Sequence, residues 1–328
     1  MQEYFDYSAF EEISAEAIEK RKIRRFGLAG GVGLFALFAV MCFWPEAYFR
    51  ITAIFGISAV EAANFANHPF FSKLFHIALS AIMIVLPFFI VSKSMGFKPS
   101  RSIPFCAAKK GFFLPSVLLG VGMCFFSSLS TNYADWIFDL FGVQFPSGSR
   151  ETPLGIFGFI ISVMSTAFFP AFFEELAMRG MVMGMLRKFG DAFAIIGSAF
   201  IFGIMHANAD QIVFAFLVGI ILGFITIKSD SIWPAITVHF LNNFVSVAFS
   251  YLKKIDGLTY SVSILSVFSL FMLLAVYSLA VLQKKDADYL KLSAEGEVSQ
   301  LKKVIWFLTS PTIIISTIFS LAIAFFLR

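Results

Sequence analysis

The stretch that decides the reading of this chain is Pro170 to His206, PAFFEELAMRGMVMGMLRKFGDAFAIIGSAFIFGIMH. It places Glu174, Glu175, Arg179 and His206 inside sequence that is otherwise Phe, Met, Ile, Ala and Gly. Ionisable groups at bilayer depth cost several kcal/mol each, so they face a bundle interior and mark function. Glu175 and Arg179 are four apart, on one helix face and in the favourable acid-before-base order. That spacing predicts a structural ion pair. Glu174, turned by about 100° from its neighbour, is left without that partner.

A turn at Phe189, Gly190 and Asp191 is expected to reverse the chain. Counted from Gly190, Glu174 lies sixteen residues back and His206 sixteen residues on. Two antiparallel helices then bring both to the same depth, roughly 24 Å from the turn. A carboxylate and an imidazole can meet there.

The rest of the chain has the same character. Its 328 residues are 59% hydrophobic, with 45 Phe and only 14% charged residues. This composition excludes a soluble domain and gives an all-α fold class, a polytopic transmembrane helical bundle of about eight to nine spans. The net charge of +4 is modest, and the basic residues cluster beside apolar runs. They read as topology determinants and anionic-lipid contacts, with no nucleic acid as partner. Cys42, Cys106 and Cys124 are too few and scattered for a disulfide framework or a thiolate metal site.

Residues 1–26 form an acidic-to-basic segment ending in Lys20, Arg21, Lys22, Arg24 and Arg25, with a capping-box pattern at Ser8 and Glu11. The expectation is a short amphipathic helix on the cytoplasmic side of an inner or plasma membrane, followed by one membrane domain over 27–328 with its core at about 154–250. The apolar runs are 27–44, 75–91, 112–129, 154–188, 192–206, 211–227, 232–252, 261–283 and 304–327. Pro170 is expected to kink the fourth. After Pro45 the chain is expected to lie partly in the outer interface, and the loop with Asp135, Trp136, Asp139 and Pro146 on the outer side.

A second polar pair sits in VHFLNNFVSVAF, where His239 and Asn243 are again four apart. Helical spacing lets an imidazole and a carboxamide converge on one point, and both donate hydrogen bonds. His68 and His76 lie near a loop with no acidic partner in view. Either Asn242 or Asn243 could be a polar helix-packing residue, the four-residue spacing favouring Asn243 as the partner of His239; Ser246 is read as interhelical glue, and Phe202 as packing. His239 is only about seven residues into its span, some 10 Å from the start, while Glu174 and His206 lie deeper. Convergence therefore needs a tilted helix or a segment 228–236 that dips into the membrane.

Three motifs now stand in order: Glu174-Glu175-Leu-Ala-Met-Arg179 (EExxxR), Phe202-Gly-Ile-Met-His206 (FxxxH) and His239-Phe-Leu-Asn-Asn243 (HxxxN). In this order the chain resembles the CAAX protease and bacteriocin-processing (CPBP, or ABI) family of intramembrane glutamate proteases, over residues 154 to about 250. The resemblance implies that Glu174 is the general base that activates a water together with His206. It further implies that His239 and Asn243 stabilise the oxyanion, that Glu175, Arg179 and Phe202 support them, and that no cofactor is needed. The implied partner is a peptide or membrane-associated protein substrate.

Elementary chemistry is compatible with this. Amide hydrolysis needs an activated nucleophile and a stabilised tetrahedral oxygen, and desolvation makes a carboxylate a stronger base. Two other readings use the same residues. Glu174, His206 and His239 form a two-His, one-carboxylate set of the zinc-hydrolase kind, although no HExxH string is present. Alternatively, a transporter or non-catalytic scaffold would use the same intramembrane acid and imidazoles as a proton relay.

Overall fold

The computed structural model describes residues 15–140, 155–253 and 257–326, and every regular element among them is a helix. The Ser8–Glu11 capping pattern and Pro146 lie outside the described residues. The chain is an integral membrane protein. Among the described residues, seven helices are long and apolar enough to cross a bilayer, or eight spans if the bent pair at the C-terminal end is one span.

The first helix, α1 (Ala15–Ile54), is 40 residues long. Its opening turns carry the basic cluster, and it runs through Pro45 rather than stopping at Trp44. Proline fits helical φ but lacks an N–H, so it can sit in a helix at the loss of one backbone hydrogen bond. The stretch expected in the outer interface therefore begins as a helical extension. It continues into α2 (Ala59–Asn67), started by a capping box in which Ser58 and Glu61 satisfy each other's backbone N–H groups.

Next, α3 (Pro69–Ser94) crosses the bundle with one wider π-helical turn at Ala81–Val85. α4 (Phe113–Leu140) follows, so Trp136 and Asp139 stand on a helix where a loop was expected. α5 (Gly155–Phe189) carries the first motif. It is not simply kinked at Pro170: π-helical segments at Val163–Phe168 and Leu176–Met183 bracket the α-helical turns Phe169–Glu175. Such wide turns are uncommon and concentrate at functional sites.

The expected reversal occurs at Gly190, whose φ of 120° is open only to glycine. It leads into α6 (Asp191–Ile204), which has 14 residues and is about 21 Å long. That is shorter than the ~30 Å hydrocarbon core, so α6 does not count as a span by itself, and of the nine apolar runs this one is too short to cross alone. α7 (Ala209–Ser229), α8 (Trp233–Leu252) and α9 (Gly257–Lys285) then cross in turn. α10 (Gln300–Leu308) and α11 (Pro311–Phe326) close the bundle with a 66° bend between them.

α1 and α11 run side by side at very close approach. A Cβ on Gly31 would fall 2.4 Å from the Thr312 carbonyl carbon, and Ser316 donates to the Gly31 carbonyl at 2.9 Å. Small residues with interhelical hydrogen bonds are what hold helices together in lipid.

One end of the bundle is basic and tied by polar contacts. Lys302 pairs with Glu16 and Lys303 with Glu19. Arg187 joins Asp191 to Asp230, and Gln300 binds the backbone of Phe189 and Phe193. These contacts pin the Gly190 turn and therefore fix the helix that presents the two glutamates.

Candidate active site

The EExxxR motif lies where α5 passes from an α-helical to a π-helical stretch. Glu175 and Arg179 pair as their spacing predicts, with Arg179 Nη1 2.9 Å from Glu175 Oε1, and both side chains are fully buried. A buried ion pair is tolerable only when further hydrogen bonds satisfy it. Arg179 Nη2 accordingly donates to the Gly219 carbonyl of α7 at 3.1 Å, and its guanidinium lies 4.5 Å over the Phe202 ring.

Gly219 was not legible as a site residue. A Cβ there would meet Ala199 at 2.9 Å and Phe202 at 3.3 Å. The bare backbone lets α6 and α7 close upon each other and leaves a carbonyl facing the arginine.

Phe202 is more than filler. Its buried ring touches Arg179 on its face and makes edge contacts with His206 and His239, at ring separations of 5.0 and 5.7 Å. The ring joins all three motifs and holds the orientation of both imidazoles.

His239, expected with Asn243 to face a substrate, has its Nδ1 2.8 Å from Glu175 Oε1 and its Nε2 3.8 Å from Glu174 Oε2. The imidazole is held between two carboxylates. The α7–α8 turn is tied to residues 104–109. Ile232 N–H donates to the Pro104 carbonyl, Trp233 Nε1 to Phe105, and Lys109 N–H to Ser229. Held this way, with Ser231 and Ile232 buried and Trp233 exposed, α8 brings His239 to the glutamates after about two turns.

Glu174 and His206 line one cavity of about 160 Å³ together with His76, Ser80 and apolar side chains such as Met41, Met83 and Met205. His206 sits just past the end of α6, where Ala207 takes φ 46° and Asn208 caps α7. Its Nδ1 is 2.7 Å from the Phe202 carbonyl. A carbonyl only accepts, so Nδ1 carries the hydrogen and Nε2 of the neutral ring has the free lone pair. Glu174 Oε2 is buried and lacks a hydrogen-bond partner among the described residues.

Asn243 is placed further along α8. It donates to the Thr166 carbonyl of α5 at 3.3 Å and accepts from Asn242 at 3.1 Å. One of its amide hydrogens remains uncommitted by these contacts. Among the described residues no three His, Cys, Asp or Glu side chains are arranged to hold a metal ion.

A further imidazole lines the Glu174–His206 cavity, His76 of α3. Sequence reasoning had set it aside as near a loop. The signal was its position just inside an apolar run, where an imidazole needs a reason.

Residues 156–245 match the family described as Rce1-like, type II CAAX prenyl endopeptidases. No curated protein and no solved structure matches the chain. The matched residues include all three motifs. Over residues 156–245 the chain is therefore similar to the Rce1-like, type II CAAX prenyl endopeptidases, in keeping with the family that its motifs resemble.

Proposed function

We propose that this protein hydrolyses a peptide bond at the membrane with a water held between Glu174 and His206, without a metal ion. The observation that carries the reading is the cavity that these two side chains share, with His239 bridging to the second glutamate behind it. A buried carboxylate oxygen without a donor is costly, and the cavity has room for a water that supplies one.

In this scheme the water donates one hydrogen to Glu174 and the other to His206 Nε2, which turns its oxygen lone pair toward the scissile carbonyl. Attack forms the C–O bond while Glu174 takes the proton. The carbonyl oxygen becomes an oxyanion. His239, held at Nδ1 by Glu175, and Asn243, with its second amide hydrogen, are the donors that face that oxyanion. Collapse breaks the C–N bond as Glu174 returns the proton to the leaving amine. Glu175 and Arg179 keep His239 in place, and Phe202 keeps the ring planes.

The same residues were weighed as zinc ligands. Engagement of both Nδ1 atoms with protein oxygens is compatible with either reading; what supports the metal-free one is the lack of a three-ligand set among the described residues. The clustering of basic residues at one end of the bundle supports a cytoplasmic N-terminus.

The test is cleavage of a farnesylated peptide ending in Cys-Ala-Ala-X by protein reconstituted in liposomes. Glu174→Gln is expected to reduce kcat by at least about 10²-fold with an unchanged melting temperature. Equal cleavage by the two proteins would remove Glu174 from the chemistry, and assembly without any cleavage by wild type would favour the scaffold reading.

A further inference from the structure

Pro170 sits where the hydrogen-bond ladder of α5 changes register. Up to that point the ladder is π-helical, with Phe169 N–H donating to the Met164 carbonyl five residues back. From Phe169 to Glu175 it is α-helical. An α-helical turn pairs each carbonyl with the N–H four residues on. For the Thr166 carbonyl that donor would come from residue 170, and a proline has no N–H to give.

The carbonyl finds a donor on another helix. Asn243 of α8 donates to it from Nδ2 at 3.3 Å. At its other end the same carboxamide is held by Asn242, whose Nδ2 donates to Asn243 Oδ1 at 3.1 Å. A side-chain amide has two N–H groups and one oxygen in a plane. Once the oxygen and one N–H are engaged, the direction of the second N–H is fixed as well.

We infer that Pro170 is a positioning residue that orients Asn243. By withholding an N–H it leaves the Thr166 carbonyl to Asn243, and so sets where the remaining amide hydrogen points. The inference rests on the peptidase reading, in which that hydrogen faces the oxyanion. An N–H at residue 170 would compete for the carbonyl. A carbonyl oxygen has two lone pairs, so competition loosens the Asn243 contact without abolishing it, and the expected loss is smaller than that of removing the donor.

The contact and the chemistry are measured separately. Pro170→Ala supplies the missing N–H, and alanine is the best helix former, so α5 is expected to persist. In detergent-solubilised full-length protein carrying nitrogen-labelled asparagine, the Asn243 side-chain amide signal is assigned by NMR from its absence in Asn243→Ala. That signal should move in Pro170→Ala. An unmoved signal would overturn the inference.

With the farnesylated peptide, Pro170→Ala should lower kcat about tenfold with KM within about a factor of two, the pattern of an interaction made only in the transition state. The proline ring is buried, so Pro170→Val serves as a second variant that refills its space yet carries an N–H. It should lose as much, and a wild-type kcat in it would assign the effect to packing and overturn the inference. Added to Asn243→Ala, Pro170→Ala should cost less than about a further twofold, because residues acting through one contact are not additive. A full tenfold loss in that background would also overturn it. If Asn243→Ala itself keeps wild-type kcat, Asn243 and Pro170 both leave the reaction. If wild type fails to cleave while the amide signal still moves in Pro170→Ala, the orientation of Asn243 by Pro170 stands and the peptidase reading falls.

Discussion

His239 Nδ1 and Arg179 Nη1 converge on the same atom, Glu175 Oε1, at 2.8 and 2.9 Å. One carboxylate oxygen thus neutralises the buried guanidinium and aims the imidazole at the second glutamate. The first of the two adjacent acids faces the cavity, and the other organises the guanidinium and the imidazole behind it.

Glu175→Gln keeps the shape but leaves Arg179 as an uncompensated buried charge, a change that costs about 3–5 kcal/mol in comparable pairs. A clear drop in melting temperature is expected, together with loss of cleavage. Glu175→Gln combined with Arg179→Met should recover stability while activity stays lost. Detergent-solubilised melting curves beside the peptide assay check both, and a melting temperature unchanged in Glu175→Gln would show the pair is not structural.

His206→Ala removes the acceptor that positions the water and is expected to lower kcat by about 10²- to 10⁴-fold. His206→Gln is expected to retain less than a tenth of wild-type activity, since its amide cannot reproduce the ring held by the Phe202 carbonyl. Single-turnover rates measured at saturating peptide decide this.

Asn243 and Asn242 separate cleanly. Asn243→Ala removes one proposed oxyanion donor and should cost about 10²- to 10³-fold in kcat with little change in KM. Asn242→Ala, which loses only its contact with Asn243, should stay within about threefold. Similar losses in both would make the pair a helix-packing element instead.

Gly219→Ala introduces a methyl against Ala199 and Phe202. Forced overpacking typically costs about 1–3 kcal/mol, and the displaced Phe202 ring should also disturb both imidazoles. Lower thermal stability and a reduced kcat are expected together; a fully active, equally stable variant would mean that α6 and α7 separate at no cost.

Incubation with 1,10-phenanthroline or EDTA is expected to leave peptide cleavage unchanged, and elemental analysis of the purified protein should find no stoichiometric zinc. Activity lost to the chelator and restored by zinc would reinstate Glu174, His206 and His239 as ligands.

Much of this site was legible in the amino-acid order. Residues four apart on a helix must share a face, so Glu175–Arg179 needed no further information. The Gly190 reversal and the equal spacing to Glu174 and His206 likewise follow from helix rise. The order EExxxR, FxxxH, HxxxN carried the family.

Other features depend on how helices pack, which periodicity does not contain. That α1 continues past Pro45, that π-helical turns flank the two glutamates, and that α10 and α11 bend are outcomes of neighbouring contacts. The long-range partners were hidden for the same reason: His239 Nδ1 meets Glu175, and Arg179 finds the Gly219 carbonyl forty residues away. His76 lies outside every motif and entered only because α3 packs beside α1 and α5.

What the sequence by itself determined is the chemistry available and its depth: which acids and imidazoles enter the bilayer, on which helix faces, in which order. What only the tertiary structure decided is which of them touch. Helix rise and period are properties of the local backbone, whereas the pairing of side chains across helices depends on close packing of the whole bundle and on the residues 104–109 that tie down the start of α8.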